Sequence, residues 1–278
     1  KYAKKLKVQI DNKDIGHIHK KNEKGIFQKV EIKINNFGQR DINYDNQYLK
    51  KFDKRHLIIG SSIPLGWGVE QNKTFSNLLN KYSLENKKKW IFINGGIGNH
   101  NTSRYINNYL NNWSDLEFNN IIIMFFVNDA ENLQNNKTNF FVKHTHLGVF
   151  LWKFYNSLNS YLQKENIVNY YQKIYSDDSP GFIKTKQELK KFKRYCVEKK
   201  IQCTLVNMPD IHQLNPYKLH FINKKIKDLM EEINLDYIDL LPEFENLDEK
   251  TVWNKYQDPH PNELAHDIIS RKIYKSLH

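Results

Sequence analysis

A serine hydroxyl is a weak nucleophile at neutral pH and needs a neighbouring base. The chain offers one serine in a setting that fits such a need. Gly60-Ser61-Ser62-Ile63-Pro64-Leu65-Gly66-Trp67-Gly68 follows the apolar run Leu57-Ile58-Ile59, with Ser62 four residues before Gly66. Near the other end stands Asp258-Pro259-His260-Pro261. An imidazole acts as base only when held in one tautomer, and a carboxylate on the far ring nitrogen does this. Asp258 and His260 each precede a proline, which biases both toward extended backbone. In an extended segment residues two apart face the same side, so carboxylate and imidazole are expected side by side. Pro261 suits the first turn of a following helix.

Other spacings are weaker. Gly96-Ile97-Gly98-Asn99-His100-Asn101 approaches a dinucleotide fingerprint after a strand but lacks its third glycine. His144 and His146, two apart on an expected helix, face different sides and make a poor metal pair. His212, after Met208-Pro209-Asp210, reads as a loop residue rather than a ligand. No organic cofactor and no metal are expected.

These groups need elements to hold them. Apolar runs Leu57-Ile58-Ile59, Trp90-Ile91-Phe92-Ile93, Ile121 to Val127, Cys203-Thr204-Leu205-Val206 and Tyr237-Ile238-Asp239-Leu240 alternate with helical stretches. The helices are expected around Phe75–Tyr82, Tyr105–Trp113, 184–199, Phe221–Ile233 and Glu263–Leu277. That rhythm means α/β, with a parallel sheet covered on both faces. Open parallel sheets bind ligands at the carboxyl ends of their strands. There the chain places the Ser62 loop, Asn94-Gly95-Gly96-Ile97-Gly98, and Asn128-Asp129, with Asp258-Pro259-His260 just before the terminal helix. Residues 1–52 differ: Lys7–Ile10 and Val30–Ile34 alternate apolar and polar, as half-buried strands do. They read as a small β-containing extension before a main unit over 53–278. Residues 130–182 interrupt the main unit, and the aromatic segment 146–162 reads as a helix packed on it in preference to a lid or membrane-surface element.

The bulk composition agrees. The 278 residues are 39% hydrophobic, enough for one large α/β unit with an appendage. No apolar run reaches the roughly 18 residues of a membrane span. The net charge of +12 comes from lysines scattered through a chain also rich in Asn, Ile, Tyr and Phe. Without a reading motif, it does not point to nucleic acid. Cys196 and Cys203 make no disulfide framework and do not fix a compartment. The first residue is Lys1 rather than Met, so a signal or anchor could precede it. Cytoplasm and a bacterial periplasm both remain open.

With these residues in place, the chain resembles the SGNH (GDSL-like) hydrolases from about residue 56 to its end. Gly60 to Gly66 resembles the first block, Gly-Asp-Ser-x-x-x-Gly, with Ser61 in place of the aspartate. Gly96 resembles the glycine block, Asn128-Asp129 the asparagine block, and Asp258-Pro259-His260 the closing block. Most members place the aspartate three residues before the histidine, a slot held here by Gln257. Asn36-Phe37-Gly38-Gln39-Arg40-Asp41 is similar to a segment preceding the catalytic domain in some bacterial members. The resemblance implies a flavodoxin-like three-layer α/β/α sandwich. It implies Ser62 as nucleophile, His260 as base and Asp258 as its orienter. The oxyanion donors would be the Ser62 amide, the Gly96 amide and the Asn128 side chain, with glycine at 96 letting substrate approach bare backbone. The expected activity is ester hydrolysis or O-acyl transfer through an acyl-enzyme, on a small-molecule or glycan ester and by preference an acylated carbohydrate. The alternative is a weakly active or inactive SGNH-fold binding or accessory module of polysaccharide assembly.

Overall fold

The computed structural model describes residues 2–133, 167–255 and 258–277. Most of the 130–182 segment, including His144, His146 and the aromatic stretch 146–162, lies outside the described residues, as does Gln257.

The chain opens with a short helix α1 (Tyr2–Leu6) and two hairpins: β1 (Lys7–Gln9) with β2 (His17–His19), and β3 (Lys24–Phe27) with β4 (Val30–Lys33). The sequence pattern showed the first and last of these strands and missed the middle two. A short helix α2 (Asn46–Leu49), capped by the Asp45 side chain on the Tyr48 amide, leads to the main sheet.

The sheet strands are β5 (Lys54–Gly60), β6 (Trp90–Gly96), β7 (Asn120–Phe126), β8 (Gln202–Met208) and β9 (Asp236–Asp239). All neighbours pair in parallel, in the order β6-β5-β7-β8-β9. Counting from the first sheet strand this is 2-1-3-4-5, the flavodoxin-like order, whose switch point lies between β5 and β7. The apolar runs sit where the pattern placed them because strands covered on both faces must be apolar throughout. Leu57, Ile58, Ile59 and Ile121–Phe125 are all at most 1% exposed.

Helices α3 (Ser62–Leu65), α4 (Phe75–Glu85) and α5 (Thr102–Asn112) follow the first two sheet strands. Helices α6 (Ile167–Ile174) and α7 (Pro180–Lys199) lie between β7 and β8, and α8 (His220–Glu232) precedes β9. Helix α7 starts earlier than its basic stretch suggested, because Ser179-Pro180 provides an N-terminal start. A disulfide joins its Cys196 to Cys203 of β8. After β9 come α9 (Leu241–Phe244), α10 (Glu249–Val252), a hairpin of β10 (Trp253–Lys255) with β11 (Asp258–Pro261), and α11 (Glu263–Ser276). Helices α4 and α11 form one layer, α5 and α7 the other, giving a three-layer α/β/α sandwich. Pro261 belongs to β11, paired with Trp253, and not to the terminal helix. Asn262 caps that helix instead, its side chain accepting from the Ala265 amide at 3.1 Å. Among the described residues no helix is long and apolar enough to cross a membrane.

The extension has its own small core of Leu6, Phe27, Ile32 and Ile34, closed by Leu65 of α3 with Tyr2 and Trp67 packed against it. It is therefore seated on the loop that follows β5.

Candidate active site

Strand β5 ends at Gly60, and Ser62 is the first residue of α3. That helix lasts one turn. It stops at Gly66 in the left-handed region (φ 70°), whose amide bonds back to the Ile63 carbonyl at 2.9 Å. Ser61, just before the helix, is only 4% exposed, whereas Ser62 is half-buried and reaches the surface. The two adjacent serines are thus separated by burial.

The β10–β11 hairpin brings His260 to Ser62. Its base is tied down by Trp253 Nε1 donating to the Ile211 carbonyl at 2.6 Å, and by Asn262 Nδ2 donating to the Thr251 and Trp253 carbonyls at 2.8 and 3.0 Å. His260 Nε2 lies 3.0 Å from Ser62 Oγ, and His260 Nδ1 lies 2.5 Å from Asp258 Oδ1. The same carboxylate oxygen accepts the His260 amide at 3.3 Å. Extended backbone at β11 has put the two side chains on one side despite a spacing of two. Asp258 is an acceptor, so Nδ1 carries the proton and Nε2 is left to accept from the Ser62 hydroxyl. A hydroxyl, an imidazole and a carboxylate joined in this order can generate a serine nucleophile.

Asn128 lies one strand away, exposed at the end of β7 in a 3-10 turn over Val127–Ala130. The turn is held by Asp129, fully buried, whose Oδ2 accepts the Phe126 amide at 3.0 Å. Burial pushes the Asp129 carboxyl well above the usual carboxylate range. Ser62 and Asn128 therefore flank the β5–β7 switch point, the place where such sheets bind ligands.

No family model matches the chain, and no curated protein matches it in sequence. Solved structures do match in shape. TesA superposes with a TM-score of 0.54 at 10% identity, over 81% of this chain and 98% of its own. Axe2, an acetylxylan esterase from Geobacillus stearothermophilus, gives 0.53 at 12%, over 81% and 94%. A two-domain esterase (CEX) active on acetylated mannans gives 0.51 at 15%, over 81% of this chain and 48% of its own. The chain has the fold of the SGNH hydrolases.

Within this SGNH fold Gly96 is tied to its neighbours on both sides. Its amide already donates to Asn94 Oδ1 at 3.0 Å. A Cβ at 96 would lie 2.2 Å from the Leu65 amide nitrogen, so glycine is required for α3 to pack on β6. The residue that matters there is Asn94, which the sequence reading passed over. Its Nδ2 donates to the Pro64 carbonyl at 2.6 Å and its amide donates to Asp41 Oδ2 at 2.8 Å. Asn94 thereby clamps the Ser62 helix to the neighbouring strand.

Arg40 of the Asn36–Asp41 segment acts on the same loop directly, and its neighbour Asp41 acts through Asn94. Arg40 is fully buried; its Nη1 donates to the Leu65 and Gly66 carbonyls, both at 2.7 Å, and its Nη2 to Val69 and Glu31 at 2.8 and 3.1 Å. Burial lowers its pKa to about 10, which still leaves it charged at neutral pH. Burial raises the Asp41 carboxyl to about 6, opposed by the Asn94 and Ile42 amides. The similarity of this segment to a precatalytic one marked it, but the contacts of Arg40 with Leu65, Gly66 and Val69 and of Asp41 with Asn94 are long-range and no local pattern encodes them.

His212 is a loop residue as expected, yet it has a partner. Its Nδ1 contacts Asp210 Oδ1, and that hydrogen bond raises its pKa. The Asp-x-His spacing occurs twice in the chain, which could have signalled this second pair. Among the described residues no group of three His, Cys, Asp or Glu could hold a metal ion.

Proposed function

We propose that this chain is a serine-dependent ester hydrolase or O-acyltransferase acting on an acylated carbohydrate. The observation that carries the reading is the continuous line from Ser62 Oγ through His260 to Asp258. Ser62 Oγ attacks the ester carbonyl while His260 Nε2 takes its proton, and Asp258 stabilises the resulting imidazolium. The Ser62 amide and the Asn128 side chain donate to the oxyanion, each such donor worth roughly 3 kcal/mol. His260 then returns the proton to the departing alkoxide, leaving an acyl-Ser62. Water or a sugar hydroxyl, deprotonated by the same imidazole, attacks that ester and frees Ser62. Hydrolysis and transfer differ only in this second acceptor.

Support for a carbohydrate ester comes from structural neighbours, one named an acetylxylan esterase and one described as active on acetylated mannans. A non-catalytic accessory module, the competing reading, would have no use for a serine hydrogen-bonded to an oriented imidazole. The deciding experiment is p-nitrophenyl acetate turnover combined with fluorophosphonate labelling and peptide mass spectrometry. The expected result is a single adduct on Ser62, with label and turnover both lost in Ser62→Ala. An adduct on Ser61, or no adduct in folded protein, would overturn the assignment. Release of acetate from acetylated xylan or mannan then tests the substrate class.

A further inference from the structure

The outer oxygen of Asp258 is held by the extension. Asp258 Oδ1 is occupied by the His260 ring and amide, while Oδ2 accepts from Gln28 Nε2 at 3.1 Å. One orientation of the Gln28 carboxamide is favoured by Lys255 Nζ, which donates to its Oε1 at 2.6 Å. Lys255 is the last residue of β10, on the same hairpin as His260.

The backbone at Gln28 points the same way. Phe27 pairs with Val30, so Gln28 and Lys29 are the two central residues of the β3–β4 turn. Both lie at positive φ, 51° and 69°. This is the signature of a type I′ turn, which favours Asn-Gly because side-chain-bearing residues adopt that conformation at a cost. Gln-Lys is a poor choice for the turn alone. A residue kept in an unfavourable backbone state is a reason to look for what its side chain does. The tip is also rigidly placed, since Phe27 and Ile32 of the same hairpin belong to the core that closes on Leu65.

We infer that Gln28 is a positioning residue of the proposed Ser62 site: the extension's hairpin reaches across to fix the Asp258 carboxylate, and through it the His260 ring. The inference rests on the catalytic reading above. In that reading the extension completes the site. Rotation of the carboxylate about its Cβ–Cγ bond is resisted at Oδ1 only by groups of His260 itself, so a hold on Oδ2 from outside the hairpin fixes the pair as a unit. Gln28 supplies that hold, and Lys255 keeps the amide group facing the right way.

The turn chemistry provides a test that separates positioning from folding. Lys29→Gly improves the turn and leaves Gln28 in place. Gln28→Asn combined with Lys29→Gly makes the favoured Asn-Gly turn, but the side chain is one methylene too short to reach Asp258. Both variants, with wild type and Ser62→Ala, are assayed on p-nitrophenyl acetate, and their melting temperatures are measured. The expected result for Lys29→Gly is unchanged kcat with a melting temperature no lower than wild type. The double variant is expected to be at least as stable as wild type, with kcat down about 10-fold and KM unchanged, as for loss of a partner that orients a working ligand. Full kcat in the double variant, beside an inactive Ser62→Ala, would remove Gln28 from the site and leave the catalytic reading standing. A fall in kcat that tracks a fall in melting temperature, or one already present in Lys29→Gly, would reduce the hairpin to a folding role. An active Ser62→Ala would instead sink the catalytic reading itself.

Discussion

The parallel sheet and the N-terminal extension are held together by different forces, and the site lies where they meet. The sheet interior is mostly hydrocarbon: Leu57 to Ile59, Ile121 to Phe125, Leu205 and Val206 are all at most 1% exposed, with Asn94, Asn207 and His56 the main buried polar groups on its strands. The extension has a small apolar core but buries many polar groups beside it. Asn35, Gln39 and Arg40 are fully buried, His19 is 1% exposed and Asp41 4%. Each makes at least one hydrogen bond: Asn35 Nδ2 donates to the Ile42 carbonyl at 2.9 Å. Gln39 Oε1 accepts from Tyr44 Oη at 2.7 Å, and His19 Nδ1 lies 3.1 Å from the Gly38 carbonyl. Hydrophobic burial is non-directional, so the sheet fixes only where its strands end. Buried hydrogen bonds are directional and costly to break. Through them the extension fixes how the chain leaves those ends. Arg40 holds the loop after β5, Asp41 engages Asn94, and Lys7 Nζ and His17 Nε2 both bond the Gly98 carbonyl after β6.

This division predicts two kinds of variant. Side chains that only touch the reaction should lower turnover and spare stability. The largest such loss, after Ser62 itself, is expected for Asp258→Asn. An amide in that place favours the wrong imidazole tautomer, and kcat should fall roughly 10⁴-fold with little change in KM. Asn128→Ala comes next, with a loss of roughly 100- to 1,000-fold in kcat and kcat/KM together. Near-wild-type kcat in that variant would strike Asn128 from the oxyanion site. Arg40→Met should behave differently. It strips four backbone carbonyls of a buried donor, at a cost of about 3 kcal/mol or more. Melting temperature and turnover should therefore fall together, because the Ser62 helix loses its tether. An Arg40→Met protein as stable as wild type would mean that the extension is not stitched by its polar groups.

The same difference explains what was legible in the sequence. Five apolar runs and their helices gave the three-layer architecture, since covered strands must be apolar and helices must show a stripe. Ser62, His260 and Asp258 were legible because local geometry carries them: a strand-end turn with Gly66, and two residues of extended backbone. The middle strands of the extension were not, because His17-Ile18-His19 and Lys24–Phe27 are too short and too polar to show alternation. The packing role of Gly96 was not legible either, because a glycine after a strand looks alike whether substrate or a neighbouring helix approaches it, and only the 2.2 Å from a Cβ at 96 to the Leu65 amide nitrogen reveals the helix. Gln28 was invisible, since its partner lies 230 residues away in sequence.

The finest test of the comparison is mild acid. His17, His19 and His100 are buried where the extension meets the loop after β6. Burial lowers their pKa, to about 4 for His17 and about 3 for His19, and well below the usual value for His100. When this region opens, the three rings regain an ordinary value near 6.5. Above pH 6.5 the three rings are neutral in both open and closed forms, and their contribution to closure is at full strength. The Asp41 carboxyl, raised to about 6, works in the opposite sense and offsets part of the histidine loss as the pH falls. As the pH falls from 6.5 toward 4, the open form takes up protons that the closed form refuses, so closure weakens. At pH 5.5 each histidine weakens closure by on the order of 1 kcal/mol. His56 and His266, buried within the main sandwich, are lowered to about 3 by the same cause, but they regain water only when the sandwich itself opens. Hydrogen exchange at pH 5.5 against pH 7.5, corrected for intrinsic rates, should therefore show residues 7–19 losing protection first. Strands β5 and β7 should hold theirs. Equal loss in both regions would show that the extension and the sheet open as one unit. The polar stitching would then not be the weaker seam, and Arg40 and Asp41 would have to be counted with the core.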